Sequence, residues 1–176
     1  MKISRRVNTT FTVSFCLILT TSLINLSCSV TFERPEKAIN DIGSFYSPEH
    51  IFKANVTVDS MGGFRELEVY KDGSQLSKFR DVNAFIWIGN DKILYSVSPI
   101  YGKPGIYLFN CSTKKNEIIL KPSTLNSEYP NGADYFELVG YSSSSNEFTY
   151  FYAPDVDLVE FETFREKSNI RRQRLE

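Results

Sequence analysis

The sequence predicts an all-β domain of antiparallel four-stranded meanders, preceded by an N-terminal signal helix. Three observations lead there. Aromatic residues make up 14% of the 176 positions, with 14 Phe and 10 Tyr, and flat rings suit the pleated, half-buried surface of a sheet. Short apolar runs recur along the chain, separated by small clusters of Gly, Asn, Asp and Ser, which is the layout of strands joined by turns. The one long apolar run lies near the N-terminus behind a basic patch, where a signal segment belongs rather than a core helix.

Residues 1–29 carry that signal. Lys2, Arg5 and Arg6 form the basic start, and residues 11–26 are apolar with small polar interruptions and no polar face. The run is nearly long enough to span a bilayer, so an uncleaved signal anchor stands beside cleavage as a reading. Ile24, Asn25, Leu26 and Ser27 lead into Cys28 in the manner of a bacterial lipobox, which makes Cys28 the lipidation candidate. Asn25 departs from that pattern, and cleavage after Ser29 is the alternative. Stable anchoring needs more than one acyl chain. The formal net charge is −1, and losing the three leader cations makes the mature chain about −4, which gives nucleic acid no general attraction. Cys111 is then either a lone buried thiol or, in an oxidising compartment, a partner for Cys28. Asn55 and Asn110 begin glycosylation sequons, meaningful in a eukaryotic source.

Residues 30–48 read as a polar tether, with Pro35, Gly43 and Pro48 and room for a short helix over 36–42. The β-domain is expected over 49–163. Its first strand is 51–58. Glu66 and Glu68 alternate with Leu67 and Val69 in the next, over 64–70, as a half-buried strand does. Asp72-Gly73 supplies the positive φ angles of a tight hairpin, and 75–79 returns. The strands 85–88, 93–97, 106–109 and 117–120 follow, joined by turns, and form a meander. The pattern then recurs: 135–139 lines up with 84–88, 147–154 with 92–99, and 158–161 with 106–109, at an offset of roughly 51–55 residues that lies in the range of repeat architectures. The strands 64–70 and 75–79 look like the third and fourth of a further unit.

Trp87-Ile88-Gly89-Asn90-Asp91-Lys92-Ile93-Leu94-Tyr95-Ser96, followed by Gly105-Ile106-Tyr107-Leu108-Phe109, resembles a blade of the TolB-type β-propellers. The likeness covers 82–120 and, more loosely, 134–162. Closed propellers have ~4–8 blades, and two to three units are too few to close. An open stack, a sandwich or a piece completed by a partner all answer that shortage. The resemblance implies binding more often than catalysis.

Motifs for chemistry are sparse. His50 is the only histidine and reads as a surface residue, since a catalytic base needs a nucleophile and an orienting group beside it. Zinc needs several ligands at set spacings, so no cofactor or metal is expected. Asp155, Asp157, Glu160 and Glu162 lack the glycine of a calcium loop and read as a solvated strand face. Residues 164–176 read as a basic, polar tail, solvated or touching a membrane or partner surface. Tyr101, Tyr129 and Tyr141 fall in expected loops, where tyrosines give rigid contact area, and they form the candidate interaction surface. The expected role is an exported, envelope-associated module binding a protein or glycan, with no nucleic acid. The alternative is a secreted glycan-acting hydrolase, or its accessory domain, with an acid pair hidden in the fold. Intact mass of the protein from its native membrane fraction is expected to show a chain without residues 1–27 or 1–29, acylated in the first case. A mass that still includes Lys2, Arg5 and Arg6 overturns cleavage.

Overall fold

The computed structural model describes residues 36–59, 65–99, 103–122, 133–156 and 169–176. They form twelve strands and, among the described residues, no helix. The strands make three four-stranded antiparallel sheets, none of them closed. The first sheet runs β2 (Gly43–Tyr46), β3 (Phe52–Val58), β4 (Arg65–Lys71) and β5 (Ser74–Arg80). The middle sheet runs β6 (Val82–Ile88), β7 (Lys92–Val97), β8 (Gly105–Asn110) and β9 (Lys115–Leu120). The third has the order β1 (Glu36–Lys37), β10 (Ala133–Ser142), β11 (Glu147–Val156) and β12 (Asn169–Arg174).

Burial explains the composition of each sheet. Side chains alternate across a strand, and the middle sheet is covered on both faces. Phe85, Trp87, Ile93, Tyr95, Val97 and Phe109 pack against Phe52, Val56, Leu67 and Val69 of the first sheet. Their neighbours Ala84, Ile86, Leu94 and Ile106 pack against Phe136, Leu138, Phe148 and Tyr150 of the third. A strand buried on both sides has no polar face to alternate with, so β6 and β7 read as nearly continuous apolar runs. In β3 and β4 the inward Ala54, Val56, Leu67 and Val69 instead alternate with Lys53, Asn55, Glu66 and Glu68.

The Asp72-Gly73 hairpin forms as its sequence predicts, with φ of 49° and 77° and Lys71 paired to Ser74. The strands over 64–70 and 75–79 are the third and fourth of their sheet. Two expectations need correction. The segment read as a tether or short helix contains β1, a bridge at Ile39 and β2. The segment read as a basic tail contains β12, paired to β11 from Glu147↔Arg174 to Tyr152↔Asn169. The neighbour of β11 is therefore β12, whereas the expected third strand at 158–161 lies outside the described residues.

The segment 36–46 ties the three sheets together. Ala38 N–H donates to Val139 O at 2.9 Å, and Ile39 exchanges bonds with Phe85 of β6 at 2.7 and 3.0 Å. The chain then enters the first sheet as β2. Where β1 is too short to pair all of β10, side chains from the middle sheet take over. Leu138 N–H donates to Ser96 Oγ at 3.1 Å, and Asn83 Nδ2 donates to Phe136 O at 3.4 Å. Such cross-ties matter because a buried peptide group left without a partner is costly. Gly140 lies inside β10, opposite Lys37. A Cβ there would stand 2.7 Å from the Glu36 carbonyl oxygen, so only glycine allows this approach. Gly140→Val is expected to lower the stability of the fold by about 2 kcal/mol, read as a lower urea midpoint. An unchanged midpoint would show that β1 contributes nothing to the third sheet.

Candidate interaction surfaces

The outer face of the first sheet is a polar ladder. Glu66 and Glu68 share one face of β4 and are paired across to Arg80 and Lys78 of β5. Lys78 Nζ lies 2.6 Å from Glu66 and 3.3 Å from Glu68, and Arg80 Nε lies 3.4 Å from Glu66. The Tyr70 hydroxyl donates to Glu68 Oε2 at 2.7 Å. That bond first, and Lys78 after it, hold the Glu68 carboxyl below its usual range. Glu66 and then Glu68 hold the Lys78 ammonium above its own. A general acid needs a carboxyl shifted upward, so Glu68 is moved the wrong way for that task. Ser44 Oγ donates to Asn55 Oδ1 at 2.8 Å on the same face.

Asp81 behaves differently. It is the single residue between β5 and β6, is 8% exposed, and has φ of 58°. Burial pushes its carboxyl up, the nearby Arg80 charge opposes this, and Glu66 adds to it. Cys111 is buried in the core between the first and middle sheets. Burial pushes its thiol up to about 12, with Asp91 adding to the shift, which leaves little thiolate at neutral pH. Its neighbour Asn110 caps the following turn, accepting from Thr113 N–H at 2.8 Å.

The far edge of the third sheet is the second surface. All six residues of β12 are exposed. Arg171 stacks its guanidinium over the Tyr152 ring at 4.0 Å, a cation–π contact. Leu175, just beyond, is buried and anchors the end. Its N–H donates to Asn146 O at 2.9 Å, and its carbonyl accepts from Asn146 Nδ2 at 2.7 Å.

Of the residues proposed from sequence, Tyr141 is corrected from loop to strand. It lies in β10, 7% exposed, and its hydroxyl donates to Asn146 Oδ1 at 2.8 Å. The run of serines beside it suggested a loop, but β10 extends through Ser142 before turning. Cys28, Tyr101, Tyr129, Asp157, Glu160 and Glu162 lie outside the described residues, as does the side chain of Asp155. His50 closes a turn at the surface, with its N–H on Ser47 O at 2.8 Å and its ring stacked on the exposed Tyr46 at 5.3 Å. Sequence reading missed Tyr46 because it fell in the supposed tether. It missed β12 because an exposed strand shows no apolar alternation. No family model, curated protein or solved structure matches the chain.

A carboxyl raised in the fold favours the protonated form, so its contribution to stability is full below the unfolded value and falls as pH rises through the folded one. Asp81→Asn keeps a residue that tolerates φ above zero and removes the charge. The variant is expected to be more stable than the parent at neutral pH, with the gain fading as pH falls through the raised folded value and gone below the ordinary Asp range. Urea midpoints across that pH series check this. A gain that stays constant with pH would sink the assignment.

Proposed function

We propose that this chain is an exported, envelope-associated binding or assembly module without a catalytic role. It is held at the membrane through acylation of Cys28 or an uncleaved signal anchor, and its partner is a protein or a glycan. The observation that carries the reading is the open stack: three sheets that do not close, with β5, β9 and β12 left as edge strands among the described residues. Open edges present unpaired backbone groups, a ready template for another chain. The resemblance of the 82–120 segment to TolB-type blades points the same way. The exposed Ile118 of β9 and Ile170 of β12 add apolar contact area on two of these edges.

One observation favours the enzymatic alternative. The Asp81 carboxyl is raised, chiefly by burial and with Glu66 adding to it, and a raised carboxyl near a second one suits the general acid of glycoside hydrolysis. Against this, Glu66 is already bound by Lys78 and Arg80, which leaves the pair without a free carboxylate. Cross-linking of the protein in its native envelope fraction is expected to give one reproducible protein or glycan adduct, retained in Asp81→Asn. Release of reducing sugar from envelope polysaccharide by the parent chain, abolished in Asp81→Asn, would overturn the binding reading in favour of hydrolysis.

A further inference from the structure

We propose that the edge of β12 takes an extended acidic peptide segment as an added strand. The inference rests on the reading of the chain as a binding module and names the surface and partner chemistry for it.

Each sheet has two edge strands; β1 and β2 are short and β6 is bridged by Ile39, and the remaining far edges, β5, β9 and β12, differ. The pairing of β5 is interrupted at Val69/Tyr70 and that of β9 at Ile106/Tyr107. Bulges of this kind twist an edge away and discourage further pairing. The pairing of β12 with β11 is unbroken over six residues, so its backbone stays straight and regular. The cations of β5 are also committed, with Lys78 and Arg80 bound to Glu66 and Glu68. On β12, Arg172 and Arg174 are exposed, and among the described residues neither is in an ion pair.

The ladder also tells which groups point outward. In an antiparallel pair, alternate residues direct both peptide groups to the same neighbour. Leu175 bonds Asn146 through both its N–H and its carbonyl. Gln173, Arg171 and Asn169 therefore face β11, and Ile170, Arg172 and Arg174 turn their N–H and C=O groups away from it. The outward carbonyl of Arg174 is touched by Gln173 Nε2 at 3.5 Å, long for a hydrogen bond and open to displacement.

The same three residues share one sheet face, opposite Phe151, Thr149 and Glu147. Ile170 is 63% exposed. An incoming strand would bond Ile170, Arg172 and Arg174 through its backbone. Its alternate side chains would then lie beside one apolar residue and two guanidinium groups. The matching segment carries an apolar residue and two carboxylates, each separated by one residue. This combines strand addition for affinity with alternate side chains for specificity and bidentate arginine–carboxylate contacts. Pairing of two β12 strands from two copies would bring arginines together and is disfavoured. An anionic lipid surface would use the charges and leave the six outward backbone groups unused.

The test is fluorescence anisotropy of a labelled peptide in which Val, Glu and Glu alternate with Thr, titrated with the full mature chain. Saturable binding is expected. It should weaken by at least about tenfold with Arg172→Glu/Arg174→Glu and less with Arg172→Gln/Arg174→Gln, the second variant keeping the parent's urea midpoint. N-methylation of the peptide's alternate amides should also abolish it. The proposal is overturned if the parent does not bind the peptide. It is equally overturned if the N-methylated peptide, or one with its two Glu side by side, binds as well, or if phosphatidylserine vesicles displace the peptide and bind more tightly. The two readings fail separately. If the parent forms no adduct in the envelope, the binding module falls. If Arg172→Glu/Arg174→Glu forms the same adduct as the parent, only the β12 edge falls.

Discussion

The middle sheet requires cover on both faces, and the rest of the structure follows from that requirement. Its strands carry large apolar side chains on each side, among them Phe85, Trp87 and Ile93 on one and Ile86, Leu94 and Ile106 on the other. Exposing either face would forfeit about 1.5–3 kcal/mol for each such side chain. The first and third sheets supply the two covers. Polar atoms inside this sandwich must find partners. Ser96, fully buried, accepts from Leu138 N–H in the adjoining sheet. Among the described residues the Trp87 indole N–H has no partner, an unmet cost on the face toward the first sheet.

The outer sheets are free to be asymmetric because each has only one face to bury. On the first sheet the outer face is a charged ladder in which each Glu of β4 meets a cation of β5. Adding a fourth apolar sheet there would mean desolvating Glu66, Glu68, Lys78 and Arg80 together, a penalty that the attraction within the pairs does not readily offset. The ladder therefore ends the stack on that side. It also gives the two neighbouring carboxylates of β4 a structural role.

The third sheet ends at β12, where the chain uses a different device. Backbone pairing to β11, the Arg171–Tyr152 contact and the buried Leu175 hold an otherwise polar strand in place. Its exposed side then has regular geometry, positive charge and one apolar residue, a combination absent from the other two far edges. A module that binds through such an edge would need no cavity and no reorganisation of its core.

The order and turns of the central meander were legible from residues alone, since β6 to β9 combine apolar runs with turns at Gly89-Asn90 and 111–114. The Asp-Gly hairpin was legible for the same local reason. The Tyr141 strand, the seam at 36–46 and β12 were not. Their conformation is imposed by partners distant in sequence: Val139 and Phe85 for the seam, β11 for β12, and Glu36 for Tyr141. Sequence by itself determined that the chain alternates and turns as antiparallel sheets do, because side-chain period and turn chemistry are local properties. Only tertiary structure decided which edges are joined and which carboxylates are neutralised, because backbone pairing and charge compensation are made between segments that the linear order leaves far apart.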